Sequence, residues 1–463
     1  MNMINVRRLT VMTFLGAGML SGISAQVSPL QVDTLKETKI PDQWDLQSCI
    51  DYAKEQNITI RKNRITAVST QIDVKTAKAA LFPSLSFSTG HQVVNRPYQE
   101  TSSRVSGSEI ISSNSKTSYN GNYGLNASWT LYNGNKRLKT IQQEKLNNQM
   151  AELDVATSEN NIQESIAQVY IQILYAAESV KVNENTLQVS IAQRDRGQEL
   201  LNAGSIAKSD LAQLEAQVST DRYQLVTAQA TLEDYKLQLK QLLELDGENE
   251  MNIYLPALSD ENVLAPLPTK RDVYISALSL RPEIEASKLN VEASELGINI
   301  AKSSYFPTIS LSAGIGTNHT SGSDFTFGEQ VKNGWNNSIG LSVSVPIFNN
   351  RQTKSAVQKA KLQYETSMLS LLDEQKALYK TIESLWLDAN SAQQRYAAAN
   401  EKLKSTQISY ELISEQFNLG MKNTVELLTE KNNLLQAQQE QLQAKYMAIL
   451  NTQLLKFYQG DQL

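Results

Sequence analysis

The chain repeats itself, and that duplication restricts its architecture more than any other feature. Leu81-Phe82-Pro83-Ser84-Leu85-Ser86 returns as Tyr305-Phe306-Pro307-Thr308-Ile309-Ser310, and Gly124-Leu125-Asn126-Ala127-Ser128 returns as Gly340-Leu341-Ser342-Val343-Ser344. The interval of 216 residues from Gly124 to Gly340 is also the interval from Gly204 to Gly420. A chain built this way folds as two copies of one supersecondary unit. Each copy reads helix, strand, strand, very long helix, glycine-centred turn, helix. The first repeat covers 26–245 and the second 271–463, joined by a linker over 246–270 that carries Pro256, Pro266 and Pro268.

Residues 1–25 precede the first repeat. Arg7 and Arg8, an apolar run from Leu9 to Leu20 and the small pair Ser24-Ala25 form the pattern of a secretory leader, which places the mature start at Gln26. The apolar run is well short of the roughly 20 residues a bilayer-spanning helix needs. Cys49 is the only cysteine. No lipid-anchor cysteine stands at the cleavage point and no intramolecular disulfide can form, so an exported chain of this kind must rely on packing or oligomerisation. The net charge of −5 gives no reason to expect nucleic acid as a partner.

Four segments alternate with period two: about 84–95, 118–131, 307–318 and 335–347. Along the second, Tyr119, Tyr123, Leu125, Ala127, Trp129 and Leu131 fall on one face, and Asn120, Asn122, Gly124, Asn126, Ser128 and Thr130 on the other. Ile309, Leu311, Ala313 and Ile315 repeat the pattern, as do Ile339, Leu341, Val343 and Val345; Leu85 and Phe87 begin a weaker copy. A half-buried sheet in a soluble protein also alternates. Here, however, the polar face is small and uncharged, as suits a water-filled lumen, and strands of this length match a tilted bilayer crossing. Trp129 and Trp335 are the expected aromatic girdle, and Arg96–Lys116 and Ser321–Gly334 the expected extracellular loops.

Four strands cannot close a barrel, and an open edge in lipid leaves backbone groups unpaired at several kcal/mol each. Two copies would make an eight-stranded barrel filled by its own side chains. Three copies make twelve strands, so a homotrimer is expected.

After the second strand of each repeat comes a proline-free helical stretch, about 135–201 and about 350–417. Some 67 residues at 1.5 Å each make a rod of about 100 Å. In the second rod Val357, Tyr364, Leu371, Leu378, Leu385, Ala392 and Ala399 form one seven-residue column. Met368, Ile382, Ala389, Tyr396, Leu403, Tyr410 and Phe417 form the other. Return helices carry their own columns, Leu211 to Leu239 and Leu428 to Ile449, so each repeat supplies a helical hairpin, about 135–245 and about 350–459, supercoiled to the left. Most of these residues are plain core.

The chemistry to watch is at the turns. Gly204 and Gly420 are left-handed helix ends. Asp210 and Glu426 follow each glycine by six residues; they either complement the helix dipole or, six to a trimer, form an electrostatic gate. Lys422 is placed to pair with Asp210 across neighbouring hairpins. Phosphate loops, dinucleotide fingerprints and His-Glu-x-x-His are missing, so neither an enzyme nor a cofactor is expected. His91 and His319 occupy matching strand ends, read as solvent-side positions rather than a metal pair. Two other classes fit parts of the pattern. One is a periplasmic adaptor, which would have one hairpin and compact β-domains. The other is a non-conducting trimeric coiled-coil surface protein, which would not need the Ser/Asn/Gly strand faces.

Taken in order, Trp44-Asp45-Leu46, Phe82-Pro83, Arg281-Pro282-Glu283, Phe306-Pro307, Val345-Pro346-Ile347-Phe348 and Phe417-Asn418-Leu419-Gly420 resemble the TolC-type outer-membrane efflux proteins from Gln26 onward. The resemblance implies an α+β membrane protein, a trimeric twelve-stranded β-barrel continuing into a twelve-helix coiled-coil α-barrel. It implies an outer-membrane location in a Gram-negative bacterium, with the helices in the periplasm. It also implies a passive exit duct for tripartite efflux or type I secretion, served by a periplasmic adaptor (membrane fusion) protein and an inner-membrane pump of the resistance-nodulation-division or ABC type. In that family an aspartate, a tyrosine and an arginine near the turns hold the mouth closed; Asp210 keeps the acid, Lys422 stands for the arginine and Phe417 for the tyrosine. The periplasmic gate and adaptor contact is accordingly expected at Gly204, Asp210, Phe417, Gly420, Lys422 and Glu426.

Overall fold

The structure, a computed structural model, describes residues 40–98, 102–106, 109–113, 116–246, 251–256, 263–321 and 325–461. The leader expected over 1–25 lies outside them, as do parts of the linker and of both expected loops. From residue 41 onward the chain is one unit.

Each repeat begins with a helix pair: α1 (Leu46–Gln56) and α2 (Ile58–Ala79), then α5 (Lys270–Leu280) and α6 (Pro282–Ser303). In both pairs the break has a local cause. Asn57 leaves the helical conformation and turns its side chain onto the amides of Thr59 and Ile60, capping α2, while its own amide nitrogen donates to the Leu242 carbonyl (3.0 Å). In the second repeat Pro282 holds Arg281 extended (ψ 123°) and starts α6 at a position that needs no N–H.

The strands follow: β1 (Ser84–Asn95), β4 (Thr117–Asn133), β5 (Thr308–Thr320) and β6 (Asn336–Ser344), each within a few residues of its expected bounds. They form one antiparallel sheet in the order β1-β4-β5-β6, so the outermost strands come from different repeats and each keeps one unpaired edge within the chain. The segment 96–116, expected as an extracellular loop, contains a short hairpin, β2 (Ser102–Ser106) with β3 (Glu109–Ser113). The second expected loop carries the short helix α7 (Phe327–Asn333), capped by Thr326.

Beyond the sheet run the rods α3 (Lys136–Asn202) and α8 (Gln352–Asn418), 67 residues each, returning as α4 (Lys208–Leu242) and α9 (Thr424–Gln459). A left-handed corner admits the chain to each rod, at Gly134-Asn135 and at Asn350-Arg351. Leu378, Ile382, Ala389, Ala392, Tyr396, Ala399 and Phe417 of the expected columns are buried. Met368 is a correction: it is exposed within one chain, and Ser367 beside it is buried against Ser294 of α6.

The core sits midway along the rods. Trp44, Cys49, Ile50 and Ala53 pack on Ile166, Tyr170, Ile173 and Leu174 of α3, with Leu239 and Leu243 closing the cluster. Val273, Ala277 and Ile284 play the same part against α8 and α9. The linker is not a passive tether, because Trp44 pairs with Ile253 through two backbone hydrogen bonds (2.8 Å each).

Candidate functional site

Two regions carry the features the sequence singled out: the sheet and the turns. The register places the apolar positions that oppose one another across the four strands on one face. Leu85 opposes Ala127, Phe87 opposes Leu125, Leu125 opposes Ile315, Trp129 opposes Leu311, and Leu311 opposes Leu341. On the other face Ser86, Asn126, Gly314 and Ser338 form one row, and Ser84, Ser128, Ser312 and Gly340 another. Neither face is covered within the chain; Leu85, Phe87, Ile339, Leu341 and Val343 are all exposed. Burying one such side chain is worth about 1.5–3 kcal/mol, so this face requires an apolar medium.

Aromatic residues lie toward both ends of that face. Trp129 donates its indole N–H to the Leu81 carbonyl (2.8 Å) near the helical end, and Trp335 lies exposed before β6 at the far end. At the far end too, His91 and His319 flank Gly121 from opposite sides. His91 Nδ1 meets the Tyr119 hydroxyl at 2.6 Å, and the His319 ring packs on Phe327. They are thus part of an aromatic rim. Among the described residues no group of three or more His, Cys, Asp or Glu side chains could hold a metal ion. No described helix is long and apolar enough to cross a membrane.

At the turns Gly204 (φ 75°) and Gly420 (φ 73°) are left-handed, and nothing lies within 4 Å of where a Cβ would be. Both helix ends close alike. Ser205 N–H donates to Leu200 and Gly204 N–H to Leu201, and Met421 N–H donates to Gln416 and Gly420 N–H to Phe417. Asp210 and Glu426 are the third residues of α4 and α9, and their carboxylates accept from the amides of Ala207 (3.0 Å) and Asn423 (3.2 Å). Within one chain both acids therefore act as helix caps.

Within one chain Lys422 donates to Glu426 of its own turn (2.5 Å), four residues on. This contact and the Asn423 amide hold the Glu426 carboxyl below its ordinary range. Phe417, expected at the gate and adaptor contact, is only 3% exposed. What the second turn exposes instead is apolar, Leu419 and Met421. The heptads singled out neither residue, since both lie in the turn itself.

The sequence also missed a buried polar cluster above the turns. Lys431 of α9 reaches Asp221 of α4 and Ser190 of α3, and Ser190 donates to the same carboxylate oxygen of Asp221. Gln217 donates to the other oxygen at 2.8 Å. Their polar types break the apolar stripes, and that is the one signal that could have found them. Farther up, Arg281 is buried between Glu164 (3.1 Å) and Glu283 (2.7 Å), with its guanidinium 4.2 Å from the Tyr458 ring.

The sequence profile of the family described as "Outer membrane efflux protein" matches residues 49–244 and 273–460. The chain is 24% identical to outer membrane efflux protein BepC of Brucella suis biovar 1 (strain 1330), over 63% of this chain and 61% of that one. It is likewise 24% identical to outer membrane protein TolC of Escherichia coli (strain K12), over 62% and 58%. It thus spans about three fifths of the length of these curated relatives. The solved structure of CusC superposes with a TM-score of 0.76 at 19% identity, covering 90% of this chain and 92% of that one.

Proposed function

The chain belongs to the outer membrane efflux protein family, and from that premise we propose that it is one subunit of a homotrimeric outer-membrane channel, a passive exit duct for tripartite efflux or type I secretion. The observation that carries the proposal is the sheet. It has four strands with an apolar face, a small polar face and two unpaired edges, and it continues directly into helices of 67 residues.

In three copies the unpaired edges of β1 and β6 pair between neighbours, closing a twelve-stranded barrel with its polar face inward. The rods, about 100 Å long, and their shorter return helices form the twelve-helix α-barrel in the periplasm, built by the two repeats over 26–245 and 271–463. Opening and closing belong to the turn end, where Gly204, Asp210, Gly420, Lys422 and Glu426 meet an adaptor, which couples the duct to an inner-membrane pump. Trp129 and Trp335 serve as the girdle against outer-membrane lipid. The two hairpins weigh against an adaptor, and a sheet with no covered face weighs against a surface fibre.

The test is single-channel recording of the purified protein in planar bilayers, together with the mass of its detergent complex. Discrete current steps from a three-chain particle are expected. A folded particle of any other stoichiometry, or one that never conducts, overturns the proposal.

A further inference from the structure

The buried cluster around Lys431 belongs to a belt that ties all four rod helices at one level. Lys431 joins α9 to Asp221 of α4 and Ser190 of α3. Gln193 of α3 donates to the Tyr410 hydroxyl of α8 at 2.9 Å. Gln217 of α4 donates to Asn432 of α9 at 3.4 Å. These residues stand 10 to 17 positions from Gly204 or Gly420 along their helices, so the belt lies roughly 15–26 Å above the turns at 1.5 Å per residue.

Three features separate this belt from ordinary surface polarity. The side chains of Lys431 and Asp221 are 3% and 1% exposed, whereas the other described ion pairs of the hairpins are largely in water. Both oxygens of Asp221 are bonded, so the carboxylate accepts a complete set of partners rather than a single cation. Finally, every bond of the belt named above except Ser190–Asp221 and Gln217–Asp221 crosses from one repeat's hairpin to the other's. A buried ion pair is poor evidence for net stability, but a good device for fixing one register between helices whose apolar seams would accept several.

Building on the channel reading above, we propose that Lys431, Asp221, Ser190 and Tyr410 are positioning residues for channel opening: they form a clasp that fixes the separation of the two hairpins and thereby the width of the inner mouth. The turns project beyond the clasp, so a small shift of one hairpin at the belt becomes a larger displacement at the mouth. Burial lowers the affinity of Lys431 for its proton and Asp221 offsets only part of that loss, so the charge leans on this one contact.

The experiment is single-channel recording in planar bilayers of wild type, Lys431→Met, the paired Lys431→Met/Asp221→Leu, and Tyr410→Phe, each first checked for an intact heat-stable oligomer. The paired variant leaves no unpaired buried charge, and Tyr410→Phe removes only a hydroxyl, so misfolding does not decide the outcome. The clasp predicts small wild-type currents and an open probability raised about tenfold in the paired variant, with a smaller rise in Tyr410→Phe. A purely structural role predicts that the paired variant, once folded, conducts as wild type does, and that result overturns the clasp while leaving the channel. Absence of current from wild type and every variant overturns the channel reading itself, and the clasp with it.

Discussion

Replacing Leu341 by arginine and, separately, Ser342 by arginine tests the assignment of the sheet's faces with two neighbouring residues. Leu341 is 65% exposed, in one row with Leu311 and Trp129 and midway between Ile339 and Val343, while Ser342 opposes Ser310 on the other face. Strand residues advance about 3.3 Å each, or about 2.5 Å along the membrane normal at a tilt of about 40°. Trp335 lies six residues toward the outer end, so Leu341 sits about 15 Å inside that rim, near the middle of an apolar band about 25 Å tall. An arginine facing lipid at that depth costs about 2–4 kcal/mol per chain, hence about 6–12 kcal/mol over the three copies of the proposed trimer. On the polar face the guanidinium remains hydrated, and Ser342→Arg should stay within about 0.5 kcal/mol, as surface changes do. The assay is the heat-dissociation midpoint of the oligomer on semi-native gels, with urea unfolding in lipid vesicles as the quantitative measure. A large loss for Leu341→Arg beside a negligible one for Ser342→Arg is expected. Equal losses, or the reverse order, would refute the lipid-out, water-in arrangement of the sheet.

Three further expectations concern the helical part. Gly420→Ala should destabilise the protein by about 1–2 kcal/mol in thermal melting, a purely torsional cost because the added methyl meets nothing; Gly134→Ala should cost more, since its Cβ would lie 2.6 Å from the Ser303 carbonyl oxygen. Arg281→Met leaves the largely enclosed Glu164 and Glu283 without their cation and should cost about 2–3 kcal/mol at neutral pH in chemical denaturation, below the full cost of breaking a buried pair because each carboxylate is about one fifth exposed. Burial already raises the Glu164 carboxyl above its ordinary 4.5, so protonation favours the folded variant and part of that loss should return as pH falls through the raised value. Burial pushes the Cys49 thiol up to about 12; a maleimide at pH 8 should label it only after unfolding, and rapid labelling of the native protein would contradict the packing around Trp44 and Tyr170.

Much of this architecture was legible because its determinants are local and periodic. Strand alternation sorts residues by face whatever the strand's neighbour is, so the apolar and polar faces of β4, β5 and β6 could be read before any pairing was known. Freedom from proline and a seven-residue repeat set the extent of the two rods, and a left-handed turn announces itself as glycine at Gly204 and Gly420. The breaks at Asn57 and Arg281 were harder. Asn57 is helix-compatible by composition, and its side-chain amide donates a hydrogen bond to the Leu242 carbonyl, 185 residues away.

The partnerships in the clasp belong to tertiary structure alone. A heptad states which stripe of a helix is apolar, but not how that helix is rotated or shifted against a second hairpin two hundred residues later. Until those two quantities are set, Lys431 is one more lysine on a charged helix. Packing of α9 against α3 and α4 sets both, and encloses Lys431 with Asp221 and Ser190 away from water. The sequence by itself determined the two repeats, the faces of the strands, the lengths of the rods and the positions of the turns. Which polar groups meet between the hairpins was decided only in three dimensions, because a buried charge finds its partner through the rotation and register of whole helices rather than through its neighbours in the chain.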